Sequence, residues 1–272
     1  MLGFLNGLDP DIGRVLLAQL RNLWTHTSTA LEGNTLTLGE TAFVIEEGLT
    51  VSGKPLKDHQ EVVGHARAID LIYDLVKKDG PVIDRDLFLL HTCVQTEIVL
   101  DVYQPVEDWK KEPNGTYRIE GDRQIFFEYA APEDVPTLMA EWLHLLNGHL
   151  AADLSRDAAL TAYVDLHVSF VRVHPFFDGN GRMARLVSNL PVIRSGFPPI
   201  VIPREQRRAY LMALRKYDAL AGTPRPGQGL LPITDALHDF EALCAESWEE
   251  SLGLVDQARQ AQADRAKRWS GA

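Results

Sequence analysis

Apolar residues recur along most of this chain at helical rather than strand spacing. Leu16, Leu17, Leu20 and Leu23 form one stripe and predict a helix over 10–33, with Gly33-Asn34 as its stop signal. A second helical stretch is predicted over 36–47, ending near Gly48. Val62, Val63, Ala66, Ile69, Ile72 and Leu75 predict a long helix over 58–78, and another follows at 84–98. Pro105, Pro113, Asn114 and Gly115 then make 104–116 a loop. Two extended segments, YRIE and RQIFFEY, flank Gly121-Asp122, a pair suited to a tight turn, so a β-hairpin is predicted over 117–128. Helical spacing resumes at 133–147, 157–172, 181–195, 203–219 and 231–260. No internal repeat and no long linker divides the chain. The expectation is an all-α helical bundle with one β-hairpin.

Composition narrows the function classes. With 272 residues, 45% of them hydrophobic, the chain can bury one large helical core. Acidic residues outnumber basic ones 38 to 27, a net charge of −11, so no overall positive field draws nucleic acid. A polyanionic ligand has to meet a local cluster of arginines and backbone amides, and a mononucleotide suits that limit. Cys93 and Cys244 stand apart without partners at metal spacing, which suggests neither a zinc site nor a disulfide framework. The opening residues lack a basic stretch and a cleavage pattern. No apolar run approaches the ~20 residues of a membrane span. The expectation is a cytoplasmic protein with no membrane partner.

One segment carries chemistry: His174-Pro175-Phe176-Phe177-Asp178-Gly179-Asn180-Gly181-Arg182-Met183-Ala184-Arg185. Pro175 biases His174 away from helix, so the preceding helix should end there and leave the imidazole on a loop. Its ordinary pKa suits proton abstraction near neutrality. A lone histidine is more often a satisfied core residue, and His167 is read that way. Gly179-Asn180-Gly181 opens the next helix, where bare backbone N–H groups can meet a phosphate at the positive end of the dipole. Arg182 and Arg185, three apart and placed in the first turn, share a face and oppose that dipole. Guanidinium groups bind phosphate oxygens bidentately, which gives the broken rule a purpose. Asp178 is placed to hold Mg²⁺ against the phosphates, and Asn180 can donate to a phosphate oxygen.

This segment resembles the signature of the Fic family, HPFx(D/E)GNGRxxR, at every specified position. FVRVHPF, LVSNLPVIRSGFPP and APEDVPTLMAEWLHLLN are also similar to Fic sequences, and the resemblance spans roughly residues 25–220. It implies a Fic fold and a protein adenylyltransferase with Mg²⁺ as cofactor and ATP as substrate. His174 would be the general base on a target Ser, Thr or Tyr hydroxyl. Asp178 would coordinate Mg²⁺ between the α- and β-phosphates. Asn180 and the Gly179 and Gly181 amides would hold the α-phosphate. Arg182 would contact the β-phosphate and Arg185 the γ-phosphate, with Phe176 as a core anchor. Family members that move other groups alter the GNGR portion, which is intact here.

A shorter match lies upstream. Ser28, Glu32 and Gly33 resemble the family's inhibitory motif, (S/T)xxxE(G/N). Glu32 falls at a predicted helix C-terminus, where the dipole disfavours an anion. An acid misplaced there could pair with a base misplaced at another helix start, Arg185. A solvated surface glutamate is the plainer alternative. The match implies an N-terminal inhibitory helix and autoinhibition by Glu32. The hairpin occupies the place of the family's flap, so Tyr117, Arg118, Ile119 and Glu120 are expected to dock a target strand. Packing of Ile119, Ile125 and Phe127 would explain it equally. Tyr210, Leu214 and Asp218 lie at helical spacing where the family lines its base pocket, though an amphipathic core helix accounts for Tyr210 and Leu214 as well.

The expected domains are an inhibitory segment at 1–34, a core at 35–220 including the flap, and a helical extension at 221–272. ATP, a flap-docked target protein and a homodimer are the expected partners. Two other readings stay open: removal of AMP from a modified target at the same site, and a non-enzymatic nucleotide-sensing adaptor. A DNA-associated role is disfavoured, since 221–272 shows no winged helix.

Overall fold

The computed structural model describes residues 2–95, 107–120 and 122–270. Among them are α1 (Pro10–Leu31), α2 (Leu38–Glu47), α3 (Leu56–Lys77), α4 (Asp84–Val94), β1 (Gly115–Glu120), β2 (Arg123–Glu128), α5 (Val135–Leu150) and α6 (Arg156–Val173). They are followed by α7 (Asn180–Val187), α8 (Asn189–Arg194), α9 (Arg207–Ala221) and α10 (His238–Ser270). The all-α expectation holds, and β1 and β2 form the lone sheet among the described residues. None of these helices is long and apolar enough to cross a membrane.

The helix ends follow local chemistry. Pro10 sits in the first turn of α1, where its missing N–H costs nothing. Thr37 and Glu40 form a reciprocal capping box at the start of α2, and Gly48 closes that helix in the left-handed conformation. At the end of α1, Glu32 is the C-cap and Gly33 follows with φ of 104°.

Helix α6 is the hub. Apolar or buried residues surround it on several sides, from Ala159 and Tyr163 through Leu166 and Phe170 to Val173, and it packs against α5, α7, α8 and α10. Trp142 of α5 donates its indole N–H to the Leu166 carbonyl at 3.0 Å. Trp248 of α10 does the same to Pro198 at 2.9 Å. Leu16, Leu20 and Leu23 of α1 and Val62, Ala66, Ile69 and Ile72 of α3 are buried as their spacing predicted, while Leu17, Val63 and Leu75 are half-buried.

Three boundaries stand out as departures from the sequence reading. The helix predicted over 181–195 breaks at Ser188, because Pro191 has no N–H to give the Val187 carbonyl. Arg185 therefore lies in the last turn of an eight-residue helix, where the dipole favours a cation; only Arg182 sits in the first turn. Helix α10 runs to Ser270 rather than 260. Its polar end is held by Arg265, which donates to Asp9 at 2.9 Å and to Asp11 at 2.6 and 2.8 Å. The hairpin begins two residues earlier than expected, pairing Gly115 with Glu128 and Glu120 with Arg123. Gly121 of its turn, residues 96–98 of the fourth predicted helix, and the side chains of Arg118, Ile119 and Glu120 lie outside the described residues.

Candidate active site

Helix α6 ends at His174, the single non-glycine residue with positive φ among the described residues (φ 52°, ψ 58°). A side chain is held in that conformation only when its surroundings over-determine it, and such strain clusters at functional sites. Here the constraints are visible. The following residue is Pro175. His174 Nδ1 lies 3.1 Å from the Val171 carbonyl, which selects the tautomer with the proton on Nδ1 and leaves Nε2 as the acceptor. The Tyr129 ring lies parallel to the imidazole, 3.8 Å between centroids and 1° between planes. Burial, assisted by the charge of Lys110, pushes the His174 pKa down to about 4 against the opposing Val171 bond. The imidazole is therefore neutral at physiological pH.

The loop from Pro175 to Gly179 is braced from both sides. Phe176 is fully buried and stacks on His91 with centroids 3.9 Å apart. Trp109 lies against it at 5.2 Å. Asn180 closes the loop: its Oδ1 accepts from the Phe176 N–H at 2.9 Å, and its Nδ2 donates to the Phe176 carbonyl at 2.8 Å. The Asn180 side chain is thus engaged in the loop, and what it offers a ligand is its backbone N–H. Asn114 also donates to the Phe176 carbonyl at 2.9 Å, and the Lys110 N–H reaches the Pro175 carbonyl at 2.9 Å. Lys110 is itself buried. Its ammonium donates to Asn114 Oδ1 at 2.6 Å, and burial pushes its pKa down to about 8.

Gly179 is the N-cap of α7, with φ of 77°. The N–H groups of Asn180, Gly181 and Arg182 precede the first intrahelical bond, from Met183 to Gly179 at 2.9 Å. Gly181 keeps this tip bare. A Cβ there would lie 2.7 Å from Glu32 Oε1 and 3.2 Å from Arg185 Nη1. The glycine is therefore what lets a carboxylate rest against the helix start, where the dipole favours an anion.

Both arginines lie buried beside this tip. Arg182, 5% exposed, donates to the Val94 carbonyl at 3.0 Å and lies 3.5 Å from Asp178 and 3.9 Å from Glu61. Arg185 donates through Nε to Ser28 Oγ at 3.0 Å and through Nη1 to the Tyr210 hydroxyl at 3.3 Å. Its Nη2 reaches the Ser28 carbonyl at 2.9 Å and Glu32 Oε1 at 2.6 Å. The Glu32 side chain is 41% exposed, so this pair sits at the mouth of the site rather than beneath it. Burial pushes the Glu32 pKa up, but the charge and hydrogen bond of Arg185 outweigh it and hold the carboxyl below its usual range.

The end of α1 is fastened separately. Asn34, next after Gly33, donates to Glu61 Oε2 and to the Asp58 carbonyl, each at 2.9 Å, and accepts from the Leu36 N–H at 3.0 Å. Glu61 thus stands between the end of α1 and Arg182.

The remaining expected residues are dispersed. Asp178 is exposed, with its carbonyl 3.1 Å from His91 Nε2. Among the described residues no three acidic, histidine or cysteine side chains converge as metal ligands. A lone carboxylate fits Mg²⁺ where phosphates and water can supply the other ligands. Tyr210, Leu214 and Asp218 are buried. Tyr210 lies behind Arg185 with its hydroxyl 2.9 Å from His167 Nε2, and Asp218 lies 3.7 Å from Arg172. Of the three, Tyr210 is the one that contacts Arg185. Tyr117 on β1 is 62% exposed, and Ile125 and Phe126 on β2 are exposed too, so neither face of the hairpin is fully packed.

Sequence reasoning missed Tyr129, Glu61, Asn34, Lys110 and Asn114. Asp58, Glu61 and His65 recur at helical spacing and form a polar seam on α3, a signal that could have been found. Nothing in the local sequence marks Tyr129 as a neighbour of His174.

A sequence profile described as the Fic/DOC family matches residues 86–191. The protein adenylyltransferase fic-1 of Caenorhabditis briggsae is 35% identical over 205 residues, covering 74% of this chain and 37% of that protein. The protein adenylyltransferase Fic of Drosophila virilis is 33% identical over 190 residues, covering 69% and 36%. The chain thus spans little more than a third of these curated relatives. Among solved structures, a Fic-domain-containing signalling protein from Bacteroides thetaiotaomicron matches with a TM-score of 0.77 and 28% identity, covering 93% of each chain. Fic-1 from Caenorhabditis elegans (residues 134–508) matches with a TM-score of 0.68 and 25% identity, covering 96% of this chain and 69% of the other.

Proposed function

The chain belongs to the Fic/DOC family, and from that premise we propose that it is a protein adenylyltransferase, transferring AMP from Mg·ATP to a Ser, Thr or Tyr hydroxyl and restrained by its own Glu32. One observation carries the reading. The N-terminus of α7, with Arg182 and Arg185 beside it, has its N-cap five residues after a neutral imidazole that feels the charges of Asp178 and Glu32, and an internal carboxylate already rests at the tip. That is the arrangement of an anion site filled by a surrogate.

In the proposed reaction the target hydroxyl oxygen attacks the α-phosphorus. The O–Pα bond forms and the Pα–O bond to the β-phosphate breaks. His174 Nε2 takes the hydroxyl proton, while Nδ1–H stays on Val171 and fixes the ring. The N–H groups at the start of α7 hold the α-phosphate. Arg182 and Arg185 hold the β- and γ-phosphates, and pyrophosphate leaves. Mg²⁺ held by Asp178 would add positive charge between the phosphates. Catalysis on this account is positioning and charge stabilisation.

Restraint follows from competition for Arg185. While Nη2 is bound to Glu32, a γ-phosphate has lost its partner, and the triphosphate cannot take the in-line pose. Residues 1–34 act as the inhibitory segment, 35–220 as the catalytic core, and 221–272 as an extension that clamps α1 through Arg265. Among the described residues no third strand pairs with the flap, and Tyr117, Ile125 and Phe126 are exposed, which suits docking of an extended target segment.

The test is labelling of a lysate with tagged ATP. The Glu32→Gly protein should label targets, and the same protein with His174→Ala should not. Release of AMP from a modified target by the unaltered protein, without forward labelling, would favour the reverse direction instead.

A further inference from the structure

We infer that Tyr129 is a positioning residue for the catalytic base, referencing His174 to the root of the flap. The inference rests on the reading of His174 as the base.

Two contacts fix the imidazole. The bond from Nδ1 to Val171 restrains the ring at one atom but leaves it able to swing about that point. The Tyr129 ring, parallel at 3.8 Å, covers one face and fixes the plane. A left-handed backbone and a following proline give His174 an unusual side-chain direction, and its own helix holds the ring at one atom, through Val171. The stacked ring supplies that support, and it excludes water from one face of the imidazole.

The position of Tyr129 in the chain gives the contact its second meaning. Tyr129 directly follows Glu128, the last residue of β2. Its N–H donates to the Asn114 carbonyl at 3.1 Å, just where β1 begins. Asn114 in turn holds the Lys110 ammonium and the Phe176 carbonyl. The roots of both strands are therefore tied to the histidine loop through backbone and buried polar bonds. A target strand on the flap and the base that deprotonates its hydroxyl share one rigid reference. A displacement of about 1 Å at a reacting group costs about 10²-fold in rate.

The experiment compares Tyr129→Ala and Tyr129→Phe in the Glu32→Gly protein, with melting curves to establish folding. The rate of self-labelling is followed against ATP concentration. We expect Tyr129→Phe to keep kcat within about twofold, since the stack is retained. Tyr129→Ala should lose about 10- to 100-fold in kcat with KM for ATP nearly unchanged. Loss in KM rather than kcat, or equal loss in the Phe variant, overturns the proposal. A second readout needs no activity: the His174 Hε1 proton resonance. In the parent and the Phe variant it should be sharp and shifted upfield by the stacked ring. In the Ala variant it should move to its ordinary position and broaden. An unmoved resonance overturns the inference. A Glu32→Gly protein that fails to label at all contradicts the proposed activity instead, and the resonance still decides the role of Tyr129.

Discussion

Glu32 and Arg185 lie 153 positions apart in sequence and meet at 2.6 Å across the mouth of the site. Glu32 is the C-cap residue of α1, where the helix dipole disfavours its carboxylate. It rests against the start of α7, where a second dipole favours it. The contact relieves that misfit, and on the proposed reading it occupies the place a phosphate would take.

Replacing Glu32 by Gly should therefore raise adenylylation while lowering stability. The gain in labelling rate is expected to be at least about tenfold, the factor that corresponds to about 1.4 kcal/mol. The stability loss should be near 1 kcal/mol, modest because Glu32 is well exposed and Arg185 keeps Ser28 and Tyr210. Paired labelling and denaturant titrations check both signs, and Mg·ATP should raise the melting temperature of the variant more than that of the parent.

Asn34 bonds to neither arginine, yet it fastens the end of α1 to Asp58 and Glu61. Asn34→Ala should loosen that end and partly relieve the restraint, giving a labelling rate between those of the parent and Glu32→Gly. Breaking buried hydrogen bonds should cost about 1–3 kcal/mol. An Asn34→Ala protein as inactive as the parent but equally destabilised would show that α1 is held by Arg185 alone.

Gly181→Ala should abolish nucleotide binding even when Glu32 is absent. The added methyl would stand over the helix tip, within 3.2 Å of Arg185 Nη1, where the phosphates need bare backbone. Calorimetric titration of ATP into the Glu32→Gly, Gly181→Ala protein checks this; unchanged affinity would move the phosphates elsewhere.

Stability should fall on the acid side, beginning near pH 6.5. His65 and His167 are fully buried, and burial holds both pKa values well below the ordinary histidine value, aided by nearby arginine charge. In the unfolded chain both take a proton as pH drops through about 6.5, while in the folded chain they do not. Each therefore removes about 1.4 kcal/mol of stability per pH unit below that point, until its folded value is reached. Neither loses anything above pH 7. Melting temperatures from pH 8 to 5 should show a plateau and then a decline, and His167→Gln should soften the slope.

Much of this was legible in sequence because the signals were local. Helix periodicity located α1, α3, α5 and α6, and the spacing of His174, Gly179, Gly181 and Arg182 follows from one turn of chain. The pairing of Glu32 with Arg185 could be guessed from Glu32, which is misplaced against its own helix; the matching premise for Arg185 failed, because α7 stops at Val187 and puts Arg185 in its last turn. Tyr129, Asn114 and Lys110 could not, because their roles come from a strand returning over the histidine loop, which no local pattern encodes. The break at Ser188 was readable from Pro191 but was outweighed by continuous apolar spacing through Leu190 and Ile193. The last turns of α10 escaped because ion pairs with Asp9 and Asp11, rather than an apolar stripe, hold them.

The central claim is that the bare start of α7 orients a triphosphate so that a hydroxyl, deprotonated by His174, displaces pyrophosphate. Supplying the Glu32→Gly protein with ATP carrying radiolabel either at the α- or at the γ-phosphorus tests it most directly. The account predicts that α-label becomes acid-stable on protein and γ-label leaves as pyrophosphate, with neither seen after His174→Ala. Transfer of the γ-label, or undiminished α-labelling without His174, would contradict it.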